Sequence, residues 1–256
     1  MITINSEEVV CLVDLSYYVF YRYHALKRWL ILSEKTLEGE DFLKKFGDLF
    51  IGHLKNISRK LKVKYNNIIL VGDCRRKDIW RNNIYDGYKD RKSNMDIDVF
   101  TYMYDHILPN FPKPLNKIQF ICGDNLEADD VVYIITKQIP NRIIILTNDN
   151  DYLQMINDNI TCVNLPAFNN IGERCKHSGR VGLLSKVCLG DPSDNIKGLI
   201  SKKEFNTLLD KSDSEIETYM EKHGLNEKYK LNRKLICLEH IPEALCENIR
   251  NKISIV

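Results

Sequence analysis

Residues 118–136 read IQFICGDNLEADDVVYIIT, and this stretch decides the fold. Its first five residues are a mainly apolar run typical of a strand, and residues 131–136 are an apolar segment typical of a helix. Between them lie four acids, Asp124, Glu127, Asp129 and Asp130. A strand that leads through a short turn into a helix is the repeating unit of an α/β fold.

Four further apolar runs extend the same pattern in both directions, at residues 9–13, 68–71, 143–146 and 160–165. The first three of these runs are apolar throughout rather than alternating, which indicates strands buried on both faces. Helix-like segments at residues 42–62 and 100–108 separate some of them. The sequence therefore predicts an α/β fold with a mainly parallel sheet and helices on both of its faces.

The pattern changes after about residue 165, where strand signals fade and residues 180–189, 202–222 and 226–252 have helical spacing. We therefore predict an α/β domain over residues 1–170 and a helical region over residues 171–256. Hydrophobic residues make up 44% and charged residues 28%, an ordinary globular composition. There is no secretory signal pattern and no run of 18 apolar residues, so we expect neither secretion nor a membrane span.

The eight cysteines are scattered and form no CxxC pair. Reduced thiols in an intracellular protein are the simplest interpretation. A zinc site that uses Cys175 and His177 is the alternative, but the pair lacks partners at ligand spacing.

Acidic residues follow three of the predicted strands. Asp14 comes directly after the first run, Asp73 follows the second after one glycine, and Asp149 and Asp151 follow the run at 143–146. Because the carboxyl ends of parallel strands share one edge of a sheet, we expect these groups to lie close together. Any one of them alone also fits a helix cap or an ordinary turn, and so do Asp191 and Asp194 in the turn LGDPSDN.

Taken together, the acids indicate a metal site. Two unit charges about 5 Å apart repel by roughly 3 kcal/mol at an effective dielectric near 20, so converging carboxylates require protons or cations. Oxygen-rich sites with room for water favour Mg²⁺ or Mn²⁺. The predicted metal ligands are Asp14, Asp73, Glu127, Asp129, Asp130, Asp149, Asp151, Asp191 and Asp194.

Basic residues are concentrated in one segment although the formal net charge is only +2. This basic segment, residues 75–92, contains three acids and seven basic residues. The basic residues are Arg75, Arg76, Lys77, Arg81, Lys89, Arg91 and Lys92. Separate basic and acidic patches fit a phosphate substrate beside a cation site. A solvated helix face is the alternative interpretation.

Six motifs occur in the order in which the 5′-nuclease or flap endonuclease superfamily has them, and over residues 9–198 the chain resembles that family. The motifs are VDLS (13–16), VGD (71–73), GYKDRK (87–92), EADD (127–130), TNDNDYLQM (147–155) and LGDPSDNIKG (189–198). The closing segment YKLNRKLICLEHIPEALCENI (229–249) resembles the viral branch, such as the ribonuclease H of T-even-type phages.

The resemblance implies a PIN-like α/β nuclease domain and a C-terminal region with a modified helix–turn–helix DNA-binding motif. It implies two Mg²⁺ ions, for which Mn²⁺ substitutes, and a 5′→3′ exonuclease or flap endonuclease that removes primers or flaps in replication or repair. Asp14, Asp73, Glu127 and Asp129 would surround the first ion. The second would lie among Asp130, Asp149, Asp151, Asp191 and Asp194.

The resemblance also assigns roles within the basic segment. Lys89 and Arg91 would neutralise charge on the transferring phosphate. Tyr88 would stack on the terminal base, with packing in the core as the alternative. Residues 74–114 would form a gateway or arch that a 5′ strand enters, and we expect Arg75, Arg76, Lys77, Arg81 and Lys92 to contact nucleic acid.

The chain departs from the family pattern after the GDPSDN turn. Family members commonly continue with a GIGxK-type hairpin that binds a duplex phosphate, whereas residues 196–205 read IKGLISKKEF. That hairpin is therefore missing or reshaped. Lys197, Lys202 and Lys203 are a possible replacement contact, or merely solubilising surface lysines.

The expected partners are DNA with a 5′ flap, nick, gap or 5′-ended duplex, an RNA–DNA hybrid and replication proteins, with the protein itself a monomer. A PIN-type endoribonuclease is one alternative, but it needs fewer acids and no GDPSDN turn. A catalytically silent structure-specific DNA-binding protein is another. Such a protein would be expected to have lost a metal carboxylate, and this sequence has lost none.

Overall fold

The computed structural model describes residues 1–90, 97–165, 167–172 and 179–256. Its first strands are β1 (Ile2–Ile4), β2 (Val10–Asp14), β3 (Ile68–Gly72), β4 (Gln119–Cys122), β5 (Ile143–Leu146) and β6 (Ile160–Val163). The last five form one sheet in the order β4-β3-β2-β5-β6, and every neighbouring pair is parallel. The predicted parallel sheet is confirmed, and so is its fifth strand.

Helices cover both faces of this sheet, as predicted. The helices of the first part of the chain are α1 (Leu15–Leu32), α2 (Gly39–Leu61), α3 (Ile97–Tyr102) and α4 (Ala128–Gln138). A π-helical turn, Met103–Ile107, continues α3. Alternate strand residues face opposite ways: Ile68 and Leu70 pack with α1 and α2, whereas Ile69 and Val71 pack with α4. Burial on both faces explains why these strands are apolar throughout.

The C-terminal region is mainly helical, as predicted, and contains α5 (Arg180–Leu189), α6 (Lys202–Leu208), α7 (Asp213–Lys222), α8 (Asn226–Ile236) and α9 (Glu243–Arg250). Each of the two long predicted segments is split into two helices. Ser212 begins α7 with a capping box, and Pro242 lies at the start of α9. A short antiparallel hairpin of β7 (Gly190–Asp191) and β8 (Ile196–Lys197) was not predicted.

The end of the chain returns to the sheet. Strand β9 (Ile253–Ile255) pairs in parallel with β1, and α9 contributes Cys246 and Ile249 to the core beneath α4. The Gln119 side chain bonds both backbone groups of Thr3, at 2.7 Å each, and thereby joins β1 to the edge of the sheet. The helical region predicted to begin at residue 171 thus shares a hydrophobic core with the sheet.

Every cysteine that the structure describes is a free thiol, and five of the seven are buried. Cys175 and His177, the pair in the zinc alternative, lie outside the described residues. None of the helices in the described ranges is both long and apolar enough to span a bilayer.

Candidate metal centre

A crevice of about 710 Å³ opens at the carboxyl ends of the parallel strands. Asp14 is the last residue of β2 and Asp73 directly follows β3, so the strand register itself brings them to one edge. Seven of the nine predicted metal residues line this crevice: Asp14, Asp73, Glu127, Asp129, Asp149, Asp151 and Asp191. The structure therefore brings together acids from five separate stretches of the chain.

Asp14 and Asp73 form the innermost pair. Asp14 caps α1 by accepting a hydrogen bond from the Tyr17 amide at 3.0 Å, and the Thr147 hydroxyl donates to its other oxygen at 3.1 Å. Asp73 accepts from the Ser16 hydroxyl and from the Ala128 amide. Burial and the negative charge of Asp73 raise the pKa of Asp14 to about 7, and burial also raises the pKa of Asp73. In the described part of the chain, neither residue makes an ion pair.

The acids at the start of α4 have a different environment. One oxygen from each of Glu127, Asp129 and Asp130 lies within 4.8 Å of the others. Asp130 is completely buried behind the crevice, where both of its oxygens accept hydrogen bonds from Arg81, at 2.7 and 2.8 Å. Burial and the neighbouring Asp130 raise the pKa of Asp129 well above its usual range. The effect of burial on Glu127 is outweighed by the nearby Lys89 and Arg81, which lower its pKa.

A second cluster comprises Asp151, Asp191 and Asp194, with one oxygen of each again within 4.8 Å of the others. Lys186 of α5 bridges two of them, contacting Asp151 and lying 2.7 Å from Asp191. Burial and Asp149 raise the pKa of Asp151 to about 6. Burial acts in the same direction on Asp191, but hydrogen bonds from Lys186 and Ser193 outweigh it and lower the pKa.

Asp149 and Asp194 complete the set. Asp149 is exposed at the rim and accepts a hydrogen bond from the Asp151 amide at 2.9 Å. Asp194 is 9% exposed, and its oxygens lie 3.2 Å from the Tyr88 hydroxyl and 3.5 Å from the Lys89 ammonium.

These donors fit hard divalent cations. All of them are carboxylate oxygens, which Mg²⁺ and Mn²⁺ prefer, and they are grouped closely enough to share an ion. Burial and neighbouring acids raise the pKa values of Asp14 and Asp151, although Lys186 contacts Asp151. A bound cation would favour the ionised form of both carboxylates.

Lys186 was missed in the sequence. The only signal is a lysine within the otherwise mainly apolar segment VGLLSKVCL, five residues before Asp191. Phe20 of α1 was also missed, because nothing in the local sequence distinguishes an exposed aromatic residue of a helix from a buried one. Phe20 is 45% exposed and lines the crevice beside Tyr17.

Two residues predicted to contact nucleic acid are buried. Arg81 is 1% exposed, so the prediction that it binds DNA is wrong: its guanidinium is enclosed by Asp130 and Glu127. Tyr88 is 5% exposed, and its hydroxyl donates to Glu127 at 2.9 Å. The structure therefore supports the core-packing alternative for Tyr88, since its ring is not available for stacking on a base.

The other predicted contacts are at the surface or outside the described residues. Lys89 is partly exposed at the crevice and forms ion pairs with Glu127 and Asp194. Arg91 and Lys92 lie outside the described residues, as does the adjoining part of the predicted gateway. The exposed basic residues are Arg75, Arg76, Lys77, Lys197, Lys202 and Lys203.

The loop after the GDPSDN turn differs from a phosphate-binding hairpin. Its amides at Leu199 and Ile200 both donate to the carbonyl of Cys188, at 2.8 and 3.3 Å. A side chain at Gly198 would collide with the carbonyl of Leu189, so the loop is packed tightly against α5. These two amides are therefore engaged within the protein and are not free to bind a phosphate.

Comparison with known proteins identifies similar sequences. A family model described as "5′-3′ exonuclease, N-terminal resolvase-like domain" matches residues 9–181. The chain is 29% identical over 210 residues to a 5′-3′ exonuclease of Buchnera aphidicola subsp. Schizaphis graminum, covering 76% of this chain and 67% of that protein. It is also 29% identical over 142 residues to a 5′-3′ exonuclease of Mycoplasmopsis pulmonis, covering 51% of this chain and 46% of that protein. The chain thus spans at most about two thirds of these relatives.

Solved structures share the fold over almost the whole chain. The T5 D15 protein co-crystallised with metal ions superposes with a TM-score of 0.66 at 16% identity, covering 95% of this chain and 97% of that one. The bacteriophage T5 D15 flap endonuclease in a pseudo-enzyme–product complex with DNA and metal ions gives 0.67 at 13% identity, with the same coverage. At this identity the likeness shows the fold, including its C-terminal helices.

Proposed function

The chain belongs to the 5′-3′ exonuclease family with an N-terminal resolvase-like domain, a family of nucleases, and on this premise we propose that it is a divalent-metal-dependent nuclease acting at 5′ ends. It would hydrolyse phosphodiester bonds as a 5′→3′ exonuclease, a flap endonuclease or both. The observation that carries the proposal is the convergence of seven carboxylates on one crevice, beside a partly exposed lysine. The names of the relatives and of the DNA-bound structural neighbour support both activities.

We assign two Mg²⁺ ions to the crevice. Asp14, Asp73, Glu127 and Asp129 would hold one, and Asp149, Asp151, Asp191 and Asp194 would hold the other. Asp130, which was predicted for the second ion, is left out because it is fully buried and both of its oxygens accept hydrogen bonds from Arg81. Divalent ions supply activation of the attacking water and stabilisation of charge on the scissile phosphate. The close carboxylate oxygens of Glu127 and Asp129 in one cluster, and of Asp151, Asp191 and Asp194 in the other, support this division.

Lys89 would contact the scissile phosphate. Its ammonium lies between Glu127 of one cluster and Asp194 of the other, and the side chain is 29% exposed towards the crevice. A cation held there in advance stabilises charge that develops on a phosphate oxygen. Arg91 is proposed to act with it, as the resemblance implies.

The end of the substrate strand would lie along α1. Phe20 and Tyr17 line the crevice next to Asp14, and such exposed rings stack on bases of any sequence. Arg75, Arg76 and Lys77 follow Asp73 on the exposed surface and would bind backbone phosphates. This arrangement fits a single strand that reaches the metal ions by its 5′ end.

Finer assignments extend the same proposal. An RNA–DNA hybrid would be accepted, and removal of RNA primers would follow, as in the ribonuclease H of T-even-type phages that the closing segment resembles. Such a reaction would place the protein inside a cell, together with replication proteins. The chain is proposed to act as a monomer, with its C-terminal helices binding the duplex beside the cleavage point.

The test uses a labelled 5′ flap, a nicked duplex, an RNA–DNA hybrid and single-stranded RNA, each with Mg²⁺ and with EDTA. We expect Mg²⁺-dependent cleavage at the 5′ ends of the first three and none in EDTA. Cleavage of the single-stranded RNA alone would favour a PIN-type endoribonuclease. Structure-specific DNA binding without cleavage in Mg²⁺ would make the protein a silent DNA-binding member of the family.

A further inference from the structure

A deeply buried charged contact joins the acidic centre to the C-terminal helices. Arg81 belongs to the basic segment, yet it is 1% exposed, and the Asp130 that it contacts is 0% exposed. We infer that Arg81 is a positioning residue, which holds Glu127 in the metal centre and locks α8 onto the start of α4. The inference rests on the proposed metal centre.

Four of the five N–H groups of Arg81 have identified acceptors. Its Nη1 donates to Asp130 at 2.8 Å and to Glu127 at 2.9 Å, and its Nη2 donates to the other oxygen of Asp130 at 2.7 Å. Its Nε donates to the carbonyl of Leu235 at 2.7 Å. Leu235 lies in the last turn of α8, where carbonyls have no partner within the helix and a positive charge is favourable.

This contact fixes both the side chain and the backbone of Glu127. The Glu127 Oε2 atom accepts from Arg81 and from Tyr88, each at 2.9 Å, so one carboxylate oxygen has a set position while the other faces Lys89. Asp130, held by Arg81, accepts a hydrogen bond from the Glu127 amide at 3.2 Å. The guanidinium thus acts on Glu127 by two routes, and neither involves the substrate.

Asp130 has a structural role, because it holds Arg81 in place. Both of its oxygens are occupied by Arg81, and the indole of Trp80 donates to one of them at 3.0 Å. Since it is fully buried behind the crevice, Asp130 acts on the metal centre through Arg81 and Glu127. The paired charges are needed together, because removing one partner leaves an uncompensated buried charge.

The test compares Arg81→Lys, Arg81→Met and the double variant Arg81→Met with Asp130→Met. Arg142→Met is the matched control, since Arg142 is exposed at the opposite end of the sheet, just before β5. Three quantities are measured on the full chain: Mg²⁺ binding by calorimetry without DNA, the KM for a 5′ flap, and the Tm in EDTA.

We expect Arg81→Lys to remain folded and to weaken Mg²⁺ binding about tenfold, as loss of a residue that orients a ligand does. Lysine keeps the charge but not the planar fork that reaches three acceptors. The KM for DNA should stay within about twofold, since Arg81 does not reach the surface. Arg81→Met should lower the Tm, and the double variant should regain it without regaining Mg²⁺ affinity.

Three results would overturn the inference. Mg²⁺ binding by Arg81→Lys equal to that of the Arg142→Met control would show that Glu127 is held without Arg81. A raised KM with unchanged Mg²⁺ binding would make Arg81 a DNA contact. Recovery of both Tm and Mg²⁺ affinity in the double variant would leave Arg81 a purely structural role. If the wild-type chain itself bound no Mg²⁺, the proposed metal centre would fail, an outcome distinct from the first three.

Discussion

Two pairs of acids within the same centre have opposite surroundings. Among the residues that the structure describes, the hydrogen-bond donors to Asp14 and Asp73 are all neutral, and burial raises the pKa of each acid. Glu127 and Asp130 are buried more deeply and are paired with Arg81. The first pair depends on an external cation for neutralisation, whereas the second is neutralised within the fold. Proximity to the crevice therefore does not by itself make an acid a metal ligand: the source of its counter-charge also matters.

The largest expected effect is on catalysis, at the pair without an internal counter-charge. Asp73→Asn should lower kcat by about a thousandfold, because it removes an anionic ligand and with it transition-state stabilisation of several kcal/mol. Single-turnover cleavage of a labelled 5′ flap in Mg²⁺ measures it, with DNA binding followed in parallel. The control is Asp124→Asn. Asp124 is an exposed acid shortly before α4, and this variant should cleave normally. Near-normal cleavage by Asp73→Asn would remove the metal assignment.

The next largest effect is on stability, where variants of the two pairs should change in opposite directions. Asp130→Asn should destabilise the EDTA-treated protein by about 3 kcal/mol, since it leaves the buried Arg81 with only one of its two anions, Glu127. Asp14→Asn should instead raise the Tm in EDTA at pH 8, because it removes a buried charge that has no cationic partner. Denaturant titration and thermal unfolding measure both. If the two variants were destabilised by similar amounts, the proposed difference between the two pairs of acids would be contradicted.

The acids of the first pair could be predicted from the sequence, whereas the contacts of the second pair could not. Asp14 and Asp73 were predictable because each follows a buried strand, and parallel strands end at one edge. Arg81 was misassigned because its acceptor at Leu235 is 154 residues away and nothing local distinguishes a buried arginine from an exposed one. The pairing of β1 with β9 was missed for the same reason. Local patterns predict strands and helices, whereas long-range polar partners depend on how the elements pack.

The pH dependence of stability in EDTA should reflect the titration of Asp14. The pKa of Asp14 is about 7 in the folded protein against an ordinary 3.8, so between these values the folded chain holds a proton that the unfolded chain has released. The contribution of Asp14 to stability in EDTA should therefore fall as pH rises through this window and level off above about pH 7. Asp14→Asn should remove this contribution, so its Tm advantage over wild type should grow from pH 4 to pH 7. An advantage independent of pH would contradict the raised pKa.

The smallest effect compares two serines that donate to acids of the same centre. Ser16 donates to Asp73, which lacks an ion pair, whereas Ser193 donates to Asp191, which Lys186 and the Ser193 amide also contact. Ser16→Ala should weaken Mg²⁺ binding about fivefold, equivalent to the roughly 1 kcal/mol of one hydrogen bond. Ser193→Ala should change it by less, because a cation and a backbone amide still orient Asp191. Calorimetry with both variants measures the difference. If Ser193→Ala weakened Mg²⁺ binding as much as Ser16→Ala or more, the Lys186 cation would not make Asp191 less dependent on its other hydrogen-bond donors. The contrast between acids with and without an internal cation would then have no physical basis.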